Sequence, residues 1–240
     1  MVGVQYLGNG TKIKSCCRPI SQEDVLSTNP FSHVTHWVFD LDHTLYPPSN
    51  NLFAQIEVKM VEFMVAELGL TKETANELRQ RYWKAYGTTL AGLMREYDID
   101  ADKFLYDVHQ IDFSVISPDP ELADAIAALP GRKFIYTNGT ALYARDVIAA
   151  LHIPNFFDGI YGVEHANYIP KPEAEAFDIV FSKADVPPKK AAMFEDDIRN
   201  LVVPKSLGLK TVLVGPKPKE PADHIDVVTQ DLSAFLRQIV

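Results

Sequence analysis

The sequence predicts an α/β fold in which a parallel β-sheet, covered by helices on both faces, carries an inserted helical subdomain. Two observations lead to this prediction. Four short apolar runs are typical of buried strands, and helical segments separate the last three, which is the strand–helix–strand order of a parallel sheet. A long interruption without strand-like sequence, roughly Pro47 to Ser117, follows the first run.

The four predicted strands are bulky, β-prone runs, namely HWVFDLD, KFIYTNG, AAMFEDD and KTVLVGP. Gly159 to Val163 is a candidate for a further strand. Between the strands, helices are expected over Ala141 to Leu151 and over Glu173 to Lys183. The second of these helices starts just after Pro172, and proline is favoured in the first turn of a helix.

The long interruption is predicted to be helical, because a segment of that length is seldom a structureless loop in a compact domain. Its first part has apolar residues at helical spacing, namely Leu52, Ile56, Met60 and Phe63. After a turn at Gly69 and a cap at Thr71, a second helix is expected over Lys72 to Tyr86. Third and fourth helices are expected to begin near Thr89 and near Asp102.

These elements divide the chain into an N-terminal tail at residues 1–33, a helical cap at 47–116, and an α/β core formed by 34–46 and 117–240. The tail has no continuous apolar segment and so does not resemble a secretory signal. Its three basic residues resemble a transit peptide only faintly, and a partly ordered tail or a start codon assigned too early is preferred.

Composition excludes several classes of function. The net charge of −9 and the pI near 5.2 argue against a nucleic-acid or anionic-membrane surface, since both require clustered Lys and Arg. The two cysteines, Cys16 and Cys17, are adjacent and too few for a disulfide framework or a zinc site. No apolar stretch approaches the length of a membrane span. We therefore expect a cytoplasmic protein, either a monomer or a homodimer.

Polar side chains follow the predicted strands where the strands end. In chain order they are Asp40 and Asp42, Thr137 and Asn138, Lys171, and the acids Glu195, Asp196 and Asp197. Each has an ordinary structural explanation when taken singly, such as ending a strand, lying in a solvated loop or capping the helix near Ile198. Because the carboxyl ends of parallel strands are where ligands bind, the set as a whole predicts an active site.

The residue types indicate phosphoryl transfer. Carboxylates that converge from two strands without Cys or His form an oxygen site suited to Mg²⁺. One aspartate can attack phosphorus and form an aspartyl-phosphate, and the other can protonate the leaving oxygen. A hydroxyl, an amide and an ammonium group can stabilise the transferring phosphoryl oxygens.

At these positions the sequence resembles the haloacid-dehalogenase-like superfamily, over roughly Val34 to Val214. The stretches that carry the resemblance are DLDHTLY, YTNG, the lysine of PKP, and FEDD. The resemblance implies a Rossmann-like core with a type I helical cap. It also implies a nucleophile, Asp40, and a general acid/base, Asp42, whose backbone carbonyl contacts the metal.

The remaining roles follow from the same resemblance. Thr137, Asn138 and Lys171 would bind the substrate phosphate. Asp196 would hold Mg²⁺ together with Asp40 and Asp42, and Glu195 matches a metal-ligating acid in some members only.

Substrate identity is a narrower expectation. The stretches DLDHTLYPPSNNLF, YGTTLAGL and FEDDIRNL resemble the pyrimidine 5′-nucleotidase subgroup, which dephosphorylates nucleoside monophosphates. The alternatives are a sugar-phosphate or phosphoglycolate phosphatase, a phosphosugar mutase, and a binding module without turnover. A dehalogenase is disfavoured because dehalogenases lack the second aspartate that stands here as Asp42. Tyr46, Tyr86 and Thr88 are the candidate specificity residues, since they lie near the first strand end or in a turn of the cap.

Overall fold

The computed structural model describes residues 29–220 and 222–240. Its six strands form one parallel sheet in the order β3-β2-β1-β4-β5-β6. The strands are β1 (His36–Phe39), β2 (Arg132–Tyr136), β3 (Gly159–Tyr161), β4 (Ala191–Glu195), β5 (Lys210–Val214) and β6 (Val227–Thr229). The predicted α/β fold class is confirmed, and the predicted tail with its two cysteines lies almost entirely outside the described residues.

Nine α-helices lie in these two ranges. Four of them lie between β1 and β2, namely α1 (Leu52–Leu68), α2 (Lys72–Tyr86), α3 (Thr89–Tyr97) and α4 (Ala101–Val108). The other five are α5 (Pro120–Ala128), α6 (Ala141–Ala150), α7 (Ala174–Ala184), α8 (Val202–Leu207) and α9 (Leu232–Gln238). The interruption is therefore helical as expected, while its division from the core as a separate cap stays a prediction. None of the helices described is long and apolar enough to cross a membrane.

Local sequence signals account for the helix ends in the interruption. Gly69 adopts a φ of 65° and ends α1, which is a conformation that favours glycine. Thr71 caps α2 by accepting a hydrogen bond from the backbone N–H of Thr74. These caps fix where the chain turns between α1 and α2, which pack against each other.

The core lies on both faces of the central strand β1. Trp37 and Phe39 contribute to one apolar cluster, which continues from the sheet into α1, α2, α3 and α4. Val38, pointing the opposite way, contributes to a second cluster against α7. Full burial of such side chains contributes about 1.5–3 kcal/mol each. The helices of the interruption are therefore joined to the sheet by a continuous apolar core.

The strand order places a topological switch point beside β1. The chain leaves β1 toward β2 on one side, and β4 pairs with β1 on the other. In open α/β sheets, ligands bind in the crevice outside the carboxyl ends of the strands at such a point. Asp40 follows β1 and Glu195 ends β4, so these two predicted strand-end acids lie at this crevice.

Candidate active site

Asp40 is fixed by the sheet itself. Its backbone N–H donates to the carbonyl oxygen of Phe194 at 2.9 Å, which continues the β1–β4 ladder by one residue. Asp40 as a residue is 5% exposed, and its carboxylate accepts a hydrogen bond from the Thr44 hydroxyl at 3.2 Å. Burial raises the pKa of Asp40 to about 6, although Lys171 opposes this shift. An ionised Asp40 therefore depends on the cation beside it.

That cation is Lys171, which is 1% exposed. Its Nζ donates to Asp40 Oδ1 at 2.6 Å, to Glu195 Oε2 at 2.7 Å and to the carbonyl oxygen of Tyr136 at 3.1 Å. Burial by itself lowers the pKa of Lys171, but the two carboxylates outweigh burial and the pKa rises. The ammonium group is therefore charged, and all three of its N–H donors are used.

Three carboxylates form a compact oxygen cluster beside this ion pair. Asp40, Glu195 and Asp196 each offer one oxygen, and these oxygens lie within 4.8 Å of one another. If all three carboxylates are ionised, Lys171 balances only one of their charges. Burial raises the pKa of Glu195, so a cation bound here would favour the ionised form of the cluster. Hard oxygen donors with unbalanced charge fit a divalent cation such as Mg²⁺. His43 lies at the edge of the cluster, with Nδ1 3.5 Å from Asp196 Oδ2.

The carboxylate of Asp42 has a separate environment. Its Oδ1 accepts hydrogen bonds from the hydroxyls of Tyr46 and, at 2.6 Å, Tyr143. Burial raises the pKa of Asp42, and these two hydrogen bonds oppose the shift. The Asp42 carboxylate does not belong to the acidic cluster, and the predicted metal contact of this residue through its backbone carbonyl remains a prediction.

The residues after β2 are arranged around the lysine. The Asn138 side chain pairs with the backbone of Lys171, accepting from its N–H at 2.8 Å and donating to its carbonyl at 3.1 Å. The Thr137 hydroxyl oxygen accepts from the Gly139 N–H at 3.0 Å, which leaves its own proton for another acceptor. In this structure Asn138 therefore positions the lysine loop. The predicted phosphate contacts of Thr137, Asn138 and Lys171 remain predictions.

The turn between α2 and α3 approaches the lysine loop through its glycine. A Cβ at Gly87 would lie 2.9 Å from the Lys171 carbonyl oxygen. The neighbouring side chains already have partners, since the Tyr86 hydroxyl donates to Glu96 at 3.0 Å and Thr88 caps α3 through the Ala91 N–H at 3.1 Å. The Tyr46 hydroxyl likewise has a partner, since it donates to Asp42 Oδ1. The predicted roles of Tyr46, Tyr86 and Thr88 in substrate specificity stay predictions.

Sequence reasoning missed three side chains at this site. Tyr143 lies in the first turn of α6, and no spacing rule points it toward Asp42 across about a hundred residues of sequence. Arg199 pairs with Asp197 at 2.5 Å and stacks its guanidinium 4.1 Å from the Trp83 ring centroid. Trp83 and Arg199 thereby join α2 to the segment after β4.

Comparison with known proteins agrees with this geometry. A family model described as haloacid dehalogenase-like hydrolase matches residues 35–208. Phosphate metabolism protein 8 of Saccharomyces cerevisiae is 27% identical over 176 residues, which cover 66% of this chain and 54% of the yeast protein. This chain therefore spans about half the length of that relative.

Solved structures share the fold at low sequence identity. CbbY from Rhodobacter sphaeroides in complex with phosphate has a TM-score of 0.61 and 18% identity, covering 83% of this chain and 95% of that one. A HAD phosphatase from Thermococcus onnurineus has a TM-score of 0.58 and 18% identity, with coverage of 86% and 97%. L-2-haloacid dehalogenase from Xanthobacter autotrophicus, with chloropropionic acid covalently bound, has a TM-score of 0.56 and 16% identity, with coverage of 86% and 98%.

The chain belongs to the haloacid dehalogenase-like hydrolase family, because the family model spans most of its length and includes all four strand-end groups. It has the family's α/β fold.

Proposed function

We propose that the protein is a Mg²⁺-dependent phosphomonoester hydrolase that works through an aspartyl-phosphate on Asp40. The observation that carries this proposal is that Asp40 takes part in two interactions at once. Its carboxylate pairs with Lys171 Nζ at 2.6 Å, and it also belongs to the acidic cluster with Glu195 and Asp196. The lysine, together with a cation bound at the cluster, would offset the repulsion between the ionised Asp40 carboxylate and an anionic phosphate, so that the carboxylate can attack phosphorus. The similarity to yeast phosphate metabolism protein 8 and the shared fold of the Thermococcus onnurineus HAD phosphatase support the same class.

The chain's own residues supply most of the reaction. Lys171 keeps Asp40 ionised and aligned, while the free hydroxyl proton of Thr137 is available to a phosphoryl oxygen. Asp42 is two residues from the nucleophile and protonates the leaving oxygen, then accepts a proton from the water that hydrolyses the intermediate. Mg²⁺, held by Asp40, Asp196 and Glu195, would reduce repulsion between the nucleophile and the phosphate dianion.

Asp42 also separates this reaction from dehalogenation, which the fold alone does not. Neighbours of both kinds share the fold at 16–18% identity. Dehalogenases attack carbon and need no acid for a halide leaving group, whereas ester cleavage at phosphorus needs a proton donor. A carboxyl group held by two tyrosines at this position favours the phosphatase.

Among phosphate esters, we place nucleoside 5′-monophosphates first, and pyrimidine nucleotides ahead of purine nucleotides. Support comes from the resemblance of the first strand end and the α2–α3 turn to that subgroup, and from the approach of Gly87 to the lysine loop. Phosphoglycolate and hexose phosphates are the alternative substrates. The expected partner is thus a small phosphorylated metabolite.

Release of inorganic phosphate tests the proposal. UMP, CMP, AMP, phosphoglycolate and glucose 6-phosphate should be assayed with Mg²⁺ and with EDTA, beside Asp40→Asn as the inactive control. We expect the highest kcat/KM for UMP or CMP, and no release with EDTA or with the variant. A preference for phosphoglycolate or the hexose phosphate would reject the nucleotidase assignment alone. Equal release by Asp40→Asn would reject the mechanism.

A further inference from the structure

The Asp42 carboxylate is held asymmetrically by two tyrosines from different parts of the chain. Tyr46 follows the β1 strand end, and Tyr143 lies in the first turn of α6. Both hydroxyls bond to the same oxygen, Oδ1, and lie 3.3 Å from each other. Among the residues that the structure describes, the other oxygen, Oδ2, has no hydrogen-bond partner.

We propose that Tyr46 and Tyr143 are positioning residues that hold Oδ1 of Asp42 and thereby make Oδ2 the oxygen that carries the proton in catalysis. This inference rests on the proposed phosphatase function and adds two residues to it. Neither tyrosine needs to touch the substrate, since each acts through the orientation of the Asp42 carboxyl group.

The arrangement keeps its hydrogen bonds through the whole proton cycle. When Oδ2 is protonated, Oδ1 is a carbonyl oxygen that accepts from both hydroxyls. When Oδ2 is deprotonated, Oδ1 shares the negative charge and accepts the same bonds more strongly. Burial raises the pKa of both tyrosines, so both remain donors in either state.

The proton and electron movements balance in both half-reactions. A carboxylate oxygen of Asp40 forms a bond to phosphorus while the ester P–O bond breaks. The electron pair of that bond goes to the leaving oxygen, which receives the proton from Oδ2 of Asp42. Water then forms a bond to phosphorus while the aspartyl P–O bond breaks, and Oδ2 takes the water's proton.

The ring of Tyr143 is itself held by the segment that returns from α4 to the core. The His109 imidazole stacks on it with centroids 4.3 Å apart and an angle of 3° between the planes. Phe113 packs against the same ring at 6.1 Å. The hydroxyl of Tyr143 is therefore aimed at Asp42 by a ring with little freedom, which is what a positioning role requires.

Tyr143→Phe and Tyr46→Phe test the proposal, because phenylalanine keeps the ring packing and removes only the donor. The matched control is Tyr82→Phe, which removes a buried tyrosine's hydrogen bond to a carboxylate, Glu96, within the α2–α3 pair. Each protein is assayed on UMP, whose sugar oxygen is a poor leaving group, and on p-nitrophenyl phosphate, whose leaving group needs little protonation.

We expect each single variant to lower kcat/KM on UMP by about tenfold and the double variant by more, consistent with loss of hydrogen bonds to a charged group. The value of kcat/KM on p-nitrophenyl phosphate should fall less than threefold, because kcat/KM reports formation of the phosphoenzyme, whereas the later transfer of the water's proton to Oδ2 is common to both esters and enters only kcat. Tyr82→Phe should match the wild type on both esters.

Two results would overturn the inference while leaving the phosphatase assignment intact. One is a double variant with wild-type kcat/KM on UMP, and the other is an equal loss of kcat/KM on both esters, which indicates a general structural role. If the wild-type protein with Mg²⁺ released phosphate from neither ester, the proposed function would be overturned, and this inference with it.

Discussion

Lys171 is the only buried cationic side chain among the described residues. Replacing it with methionine tests how much the buried ion pair contributes to the stability of the protein. Methionine keeps much of the aliphatic stem but removes the ammonium group that donates to Asp40 at 2.6 Å and to Glu195 at 2.7 Å. Both carboxylates then remain buried without their partner. Breaking a buried ion pair by removing one member costs about 3–5 kcal/mol of unfolding free energy.

A loss of that size is large enough to measure by thermal unfolding. For a chain of 240 residues, it corresponds to a fall in Tm of about 6–20 °C. Lys183→Met is the matched control, because Lys183 is exposed and, within the described part of the chain, its Nζ donates only to the His165 carbonyl, at 2.6 Å. That variant should lose less than about 1 kcal/mol.

A double variant separates the charge effect from lost packing. Adding Glu195→Gln to Lys171→Met removes one of the two unpaired carboxylates, so the double variant should be more stable than Lys171→Met. Calorimetry or circular dichroism at neutral pH, in EDTA, provides the Tm values. If Lys171→Met melted within 2 °C of the wild type, or if the added Glu195→Gln lowered Tm further, the account of the buried ion pair would be wrong.

Three further outcomes are expected. EDTA should abolish turnover and Mg²⁺ should restore it, and full activity in EDTA would contradict this. Asp196→Ala should raise the Mg²⁺ concentration needed for activity at least tenfold. Asp197→Asn should not, because the Asp197 carboxylate pairs with Arg199 instead. Burial lowers the pKa of His109 to about 4 from 6.5, so between these pH values the unfolded chain binds a proton that the native state does not. As pH falls from 6.5 to 4, the unfolding free energy of the wild type in urea should therefore drop by up to about 3 kcal/mol relative to that of His109→Phe. Parallel pH profiles of the two proteins would refute this. Gly92→Ala in α3 should lower the unfolding free energy of the protein by about 1–3 kcal/mol, although alanine has the better helix propensity. The reason is that the new Cβ would lie 2.2 Å from Tyr82 Cγ. A rise in Tm would contradict that packing.

The sequence predicted the parts of the fold that depend on strong local patterns. The four main strands are confirmed because each is an apolar run bounded by turn residues, and α2 begins at Lys72 as its threonine cap predicts. The short strand β6 was missed because three half-buried residues, Val227–Thr229, carry no distinguishable pattern. Helix α5 was missed although Asp119 caps it and Pro120 opens it, which is a readable signal.

The site shows the same division. Acids and a lysine at strand ends could be predicted to meet, because parallel strands deliver their carboxyl ends to one edge. The partners of those groups could not be predicted where they come from distant segments, as Tyr143 reaches Asp42 and Trp83 reaches Arg199 only through tertiary packing. Asn138 was predicted to bind phosphate, whereas its described hydrogen bonds run to the backbone of Lys171, and its contact with phosphate stays a prediction.

Trapping the intermediate tests directly whether Asp40 forms a covalent bond to phosphorus. The protein with Mg²⁺ and p-nitrophenyl phosphate is quenched in acid within its first turnovers, digested and analysed by mass spectrometry. We predict that one phosphoryl group is attached to Asp40, that it disappears when substrate is exhausted, and that Asp40→Asn, shown to be folded by circular dichroism, never acquires it. Phosphate release during steady turnover by an enzyme phosphorylated at another residue, or equally fast release by Asp40→Asn, would contradict the account.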